Sequence, residues 1–327
     1  MKTKHALRPS VAAVLFAVAI PASLAQAPYP NQQIRIVCAF PAGGGTDLTA
    51  RLLAEQMQKL LGQPVVVDNR TGASGMIGTD VVAKAKPDGY TLLVASGEMA
   101  LNPHLYPKMA YDWDKDLQPI TLLVKVPNVM AVHMDVPAKS VAEFIAYAKQ
   151  NPGKLTFSSS GVGNPQQLTG EMFNKMAGVQ IRHVPYKGAA PQIAALAGKE
   201  VSMTYVSIGA AKPFIEGQRI RPIGVTSLTR VPALPDVPAI AEHPPLAGFE
   251  LVNFFGFFGP AGMPEPVLKR LNAAAVQIMK APELVAKFRG LGFEAAPNSP
   301  EQFREFIRSE STKSGKIIVD AGVKLSE

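Results

Sequence analysis

Residues 35–69 read RIVCAFPAGGGTDLTARLLAEQMQKLLGQPVVVDN, and the order of patterns within them sets the fold class. The run IRIVCAF is apolar and β-branched, as expected of a strand buried on both faces. Leu48, Leu52, Met57 and Leu60/Leu61 then recur along one side of a helix. Gly62 and Pro64 stop that helix, and PVVVDN opens a second strand. Strand, helix and strand at this spacing form a βαβ unit, which pairs its strands in parallel and lays helices over the sheet. Between the first strand and the helix stand Gly43, Gly44 and Gly45, whose missing Cβ atoms let a ligand approach the backbone. A helix N-terminus there offers free N–H groups and about half a positive charge to a carboxylate or phosphate.

The same grammar runs on through the helix GMIGTDVVAKAK (75–86), the turn PDG (87–89) and the strand YTLLVAS (90–96). It restarts with the strand KLTFSSS (154–160), the loop GVGNP (161–165) and the helix QQLTGEMFNKMAG (166–178). The strands IRHVPY (181–186), EVSMTYVS (200–207) and IRPIGVTS (220–227) follow, with the helix APQIAALAG (190–198) among them. Strand, glycine loop and helix thus occur twice, which predicts two α/β lobes. Passages between lobes are expected at LLVKVPNVMAVH (122–133) and IRPIGVTS. The expected division is 28–125 plus 226–327 for lobe 1 and 126–225 for lobe 2. The tail from FFGFFGPAGMP (254–264) onward is expected to be helical and to return to lobe 1, with FFGFFG in the core. The segment RVPALPDVPAIAEHPPLAG (230–248) is too rich in proline for a regular element, and its recurring apolar residues predict an ordered surface segment.

The first 27 residues carry the marks of a secretory signal peptide: Lys2, Lys4 and Arg8, the apolar run VAAVLFAVAI, and the small-x-small site Ala25-Gln26-Ala27. No later run reaches the ~18 apolar residues of a membrane span. The mature protein is therefore expected to be exported and soluble. The full chain of 327 residues holds one cysteine, Cys38, expected as a small buried hydrophobe, so the fold must rest on its core rather than on a disulfide. The leader carries three basic and no acidic residues, and its removal takes the net charge from +8 to +5. That mild excess suits anionic small ligands; without a polybasic block or aromatic interleaving it gives no support to nucleic-acid binding.

The glycine loop lacks the Lys-Ser/Thr of a phosphate loop, and Leu48 stands where a dinucleotide fingerprint has its third glycine, so no nucleotide cofactor is expected. Asp47 is either a first-turn acid of the helix or a direct ligand contact. In the second loop Ser158, Ser159 and Ser160 offer hydroxyls, Gly161 and Gly163 expose backbone, and Asn164-Pro165 is a helix entry. Both loops fall at the carboxyl ends of strands, where open α/β sheets bind ligands. The histidines are isolated, without metal-ligand spacing, and no G-x-S-x-G elbow occurs. Asp112, Asp114 and Asp116 lack the glycine and distal acid of a calcium loop. Met172 and Met176 are expected on an inward helix face, and Tyr186 and Lys187 form either part of the cleft or an exposed turn. A hydrolase acting through Ser159 or Ser160 would need a base that the sequence does not place beside them.

Taken together, FPAGGGTDLTARLL, VVVDNRTGASGMIGTDVVAKAKPDGYTLL, NPGKLTFSSSGVG, HVPYKGAAPQIAAL, LPDVPAIAE and FFGPAGMP resemble the Bug family, in order and over nearly the whole mature chain. Its members are the extracytoplasmic solute-binding proteins of tripartite tricarboxylate transporters. The resemblance implies a two-lobed type II periplasmic-binding-protein fold, each lobe a mixed, mostly parallel sheet flanked by helices. It further implies a periplasmic monomer without cofactor or metal that captures a small carboxylate for integral-membrane permease subunits, rather than an enzyme. A ligand sensor feeding a membrane signalling protein is the alternative role for the same fold. The expected ligand contacts are Ala42, Gly43, Gly44, Gly45, Thr46 and Asp47 in the first loop and Ser159, Ser160, Gly161, Gly163 and Asn164 in the second. Ser96, Gln167 and Tyr186 complete the set. Where the family often has His, Asp and a nearby Trp, this chain has Gln167, Ala195 and Phe254.

Overall fold

The computed structural model describes residues 29–323, so the signal peptide expected at 1–27 lies outside the described residues. The chain begins with β1 (Ile34–Cys38), α1 (Gly45–Leu61), β2 (Val65–Asn69), α2 (Met76–Ala83), β3 (Thr91–Ser96), α3 (Glu98–Leu105), α4 (Trp113–Asp116) and β4 (Leu117–Val126). Strand β1 pairs in parallel with β2 and β3, as the βαβ reading requires. Ile34, Ile36, Val37 and Cys38 are all fully buried and divide between the cores on the two faces of the sheet, while the half-buried Arg35 interrupts the apolar run and pairs with Asp68. Helix α1 ends where predicted, with Gly62 in the left-handed conformation and its N–H on the Gln58 carbonyl. Cys38 has no exposed surface, and burial pushes its thiol pKa up, so it is an inert core residue.

Past Pro127 the chain builds a second sheet from β5 (Asn128–His133), α5 (Val141–Gln150), β6 (Thr156–Ser159), α6 (Pro165–Ala177), β7 (Arg182–Pro185), α7 (Ala189–Ala197), β8 (Met203–Ser207), α8 (Ile208–Glu216) and β9 (Ile220–Val225). The strand order is β7-β6-β8-β5-β9, with β6 parallel to both neighbours and β5 antiparallel to both of its own. The chain then returns through β10 (Asn253–Pro260), α9 (Glu265–Met279), α10 (Pro282–Gly290), β11 (Glu294–Ala295) and α11 (Pro300–Ala321). The first sheet is thereby completed in the order β11-β4-β10-β3-β1-β2.

Two features differ from the sequence reading. FFGFFG is not the start of a helical tail: it is the central strand β10, inserted antiparallel between β3 and β4. All of its residues from Phe254 to Pro260 are buried, so no alternation marks it as a strand. The second passage between lobes also lies later than residue 226. Val231, Val237, Ile240, Leu246 and Phe249 of the proline-rich segment bury into the two cores of lobe 2. The Val225 N–H bonds the Pro238 carbonyl at 2.9 Å, which holds the segment against β9. Apolar residues placed between prolines thus tie the segment to lobe 2, and the chain re-enters the first sheet at Asn253.

Candidate functional site

Residues beyond the carboxyl ends of β1, β3, β6, β7 and β8 line a cleft of about 880 Å³ between the lobes. Five helices begin at its wall, presenting Gly45 and Thr46 of α1, Glu98 of α3, Pro165 of α6, Ala189 of α7 and Gly209 of α8. Among the described residues, helices α1, α3, α7 and α8 start without a cap from the N-cap side chain, and apart from the Glu98 N–H, which donates to the Glu98 carboxylate, first-turn N–H groups there are left for an acceptor. Helix α6 is capped by Asn164, whose Oδ1 accepts from the Gln167 N–H at 2.9 Å. Phe40, Leu48, Val162, Phe255 and Phe293 add apolar surface from both lobes. Among the described residues that line the cleft, Glu98 is the one with an ionisable side chain.

The two glycine loops are held by one device used twice. In the first, Gly43 takes φ +82 and its N–H donates to Asp47 Oδ2 at 2.9 Å. In the second, Gly163 takes φ +73 and its N–H donates to Gln167 Oε1 at 2.8 Å. Asp47 and Gln167 both occupy the third position of their helices, four residues beyond the glycine. Thr49 and Thr169, two residues further, each donate a hydroxyl back to the first carbonyl of their helix, at 2.9 and 2.8 Å. Asp47 also accepts from Arg51 Nε and Asn69 Nδ2, at 2.9 and 2.8 Å. The carboxylate faces the interior of lobe 1 and leaves the N-terminus of α1 open to the cleft.

Of the residues expected at the site, Ala42, Gly43, Gly44, Gly45, Thr46, Ser96, Ser160, Gly161, Gly163 and Asn164 line the cleft. Asp47, Ser159, Gln167 and Tyr186 do not line it. The Tyr186 hydroxyl instead lies 3.1 Å from Glu200 Oε2. Asn164 Nδ2 donates to Ser160 Oγ at 2.8 Å, and the Ser160 N–H donates to Gln166 Oε1, so both residues also brace the second loop. Ser159 is fully buried, with its Oγ 2.7 Å from the Gly161 carbonyl and 2.6 Å from His183 Nε2. Sequence spacing gave no base for Ser159; the pairing of β6 with β7 brings His183 to it. Burial lowers the His183 pKa from 6.5 to about 4, so the ring is neutral near pH 7. Both contacts of Ser159 are satisfied when its hydroxyl donates to Gly161 and His183 donates through Nε2–H, which is a bracing arrangement inside lobe 2.

Six polar residues of the cleft, Ser74, Glu98, Asn128, Gln166, Ser207 and Asn253, were not among the expected contacts, and three of them bear on the site's chemistry. Glu98 follows Ser96-Gly97 at the end of β3, a shorter version of the same strand, glycine and helix pattern. Asn253 opens β10, and its Oδ1 accepts from the Gly97 N–H at 3.0 Å. Asn128 sits where the chain first crosses between lobes, held by the Thr226 hydroxyl on its N–H and the Thr226 N–H on its carbonyl. It is 3 % exposed, and its Nδ2 has no hydrogen-bond partner among the described residues. A buried amide donor left open beside a cleft is a position for a ligand acceptor.

Two mixed α/β lobes joined by crossing strands, with helix N-termini turned toward a shared cleft, define the class of two-lobed periplasmic binding proteins. The family model of the tripartite tricarboxylate transporter family receptor matches residues 49–323, and the chain belongs to that family. It is 38% identical over 292 residues to a UPF0065 protein of Pseudomonas sp. strain P51 from the tcbD-tcbE intergenic region, covering 89% of this chain and 87% of that one. Among solved structures it is similar to R. palustris Rpa4515 with adipate, at 35% identity and TM-score 0.81, covering 90% of this chain and 99% of that one. It is also similar to MatC from Rhodopseudomonas palustris with bound malate, at 30% identity and TM-score 0.75, covering 89% and 100%.

Proposed function

We propose that the protein captures a small organic carboxylate between its lobes in the periplasm, as a monomer, and presents it to the membrane permease subunits of a tripartite transporter. The observation that carries this reading is the set of uncapped helix N-termini at a cleft wall lined by no Lys, Arg or His among the described residues. An anion there is held by oriented N–H groups and helix dipoles rather than by a guanidinium clamp. Four hydrogen bonds to charged oxygens, at about 1.5–3 kcal/mol each, bracket the ~8 kcal/mol of a micromolar complex. Asn128 Nδ2 supplies one further donor, and the apolar residues face the carbon skeleton. The adipate and malate of the two neighbours are dicarboxylates that a cleft of this size accommodates.

A thermal-shift screen against di- and tricarboxylates, aromatic carboxylates and amino acids tests the reading. A ligand at ~100 times its Kd adds about 2.7 kcal/mol, a shift of several degrees. Gly44→Val supplies the control, because a Cβ at Gly44 meets only the Pro41 carbonyl, at 3.4 Å, and the backbone there is extended. The variant is expected to melt within about 1 kcal/mol of the parent without ligand and to lose the ligand shift. No saturable binding of any carboxylate to the parent overturns the proposal; normal binding by Gly44→Val would make the first loop a structural element only.

A further inference from the structure

Every other feature of the cleft wall is suited to an anion, and Glu98 is not. It stands at the first position of α3, where the helix dipole favours an ionised carboxylate. Ser96 Oγ donates to its Oε2, and that hydroxyl is its one side-chain partner among the described residues. No Lys, Arg or His lines the cleft among the described residues, so no protein cation neutralises Glu98. A dicarboxylate held by the surrounding N–H groups would bring a second negative charge toward it in a cleft walled by Phe255 and Phe293, where like charges repel strongly. The complement of a carboxylate in that position is a cationic nitrogen.

We propose that Glu98 determines specificity by receiving a protonated amine of the ligand, so that the preferred ligand is an amino-substituted carboxylate whose acid group lies on the uncapped helix N-termini. This inference rests on the carboxylate-capture reading and narrows it. Closing the lobes on such a ligand pairs Glu98 with the ammonium in a charge-assisted hydrogen bond and leaves no net charge uncompensated at the cleft floor. Burial raises the Glu98 pKa and the Ser96 hydrogen bond opposes that rise; a bound ammonium acts in the same sense as Ser96. The ligands of the adipate- and malate-bound neighbours carry no amine, so the preference proposed here rests on Glu98 of this chain and not on those two structures.

Calorimetric titration of the purified protein with matched pairs tests it: aspartate against succinate, glutamate against glutarate, 4-aminobutyrate against butyrate, and aminobenzoates against benzoate. In at least one pair the amine-bearing acid is expected to bind about tenfold tighter or more. Glu98→Gln is expected to bring that ratio to about one, by weakening the amine-bearing acid and leaving its partner unchanged or tighter. The inference is overturned if in every pair that binds the amine-free acid is equal or better, or if Glu98→Gln leaves the ratio unchanged. The parent's ratio is measured without any variant, so a misfolded Glu98→Gln does not remove the test. If no member of any pair binds while the wider thermal-shift screen finds an amine-free carboxylate that does, this inference is overturned and the carboxylate reading stands; if that screen also finds none, both fail.

Discussion

Asp47 carries more of the first loop than its position in the sequence suggests. At 2 % exposure it accepts hydrogen bonds from Gly43, Arg51 and Asn69. Burial works to raise its pKa, and the bonds from Arg51, Gly43 and Asn69 outweigh it and hold the carboxyl below its ordinary value of 3.8. A depressed folded pKa contributes stability that is present above the ordinary value and lost as pH falls through the folded one. Asp47→Ala is therefore expected to cost about 1.5–3 kcal/mol at pH 7 and to weaken ligand binding, since the loop loses its anchor. Urea titrations should show the gap to the parent narrowing as the pH drops below 3.8; a gap constant from pH 7 to pH 3 counts against the assignment. The sequence left Asp47 open between helix-start acid and ligand contact, because both roles want the same residue at the same place. Gln167, expected as a contact, anchors the second loop in the same way. A usable signal was present, for Leu48-Thr49 and Leu168-Thr169 repeat at equal distances from Gly43 and Gly163.

At the scale of elements, the βαβ runs were legible and β10 was not. Strands β1, β2, β3 and β6 follow the patterns of apolar run, glycine loop and helix, which are local. FFGFFG has no period to read, because its sheet partners β3 and β4 lie more than a hundred residues earlier and both of its faces are buried, Phe255 and Phe257 in one core and Phe254 and Phe258 in the other. Its glycine is a packing requirement: a Cβ at Gly256 would stand 2.2 Å from the ring of Phe303 in α11 and 2.9 Å from that of Phe258. Gly256→Val is expected to destabilise lobe 1 by about 3 kcal/mol or more, since the strand and α11 cannot both keep their places. Circular-dichroism melts measure this directly, and a melting point within a degree or two of the parent would contradict the packing argument.

For the whole molecule, the lobes are connected by more than two crossings. Leu168 of α6 shares a buried cluster with Ile318 of α11, and Lys175 of α6 pairs with Asp320 of α11, so α11 links lobe 1 to lobe 2 beside the cleft. The crossings at Pro127 and residues 250–253 are the pivots expected for closure, which would bring exposed Leu48 of α1 and Val162 of the second loop together over the ligand. Small-angle scattering is expected to report a smaller radius of gyration when ligand saturates the protein, and an unchanged value with bound ligand would rule out the hinge. By itself the sequence determined the α/β class, the twofold use of strand, glycine loop and helix, and the family, because each is written in local periodicity or in motifs of a few adjacent residues. Only the tertiary structure decided that Asp47, Ser159, Gln167 and Tyr186 turn from the cleft while Glu98 and Asn128 line it. Which way a side chain turns at the end of a strand is set by partners far along the chain, such as Asn69 for Asp47 and His183 for Ser159, and spacing alone does not encode them.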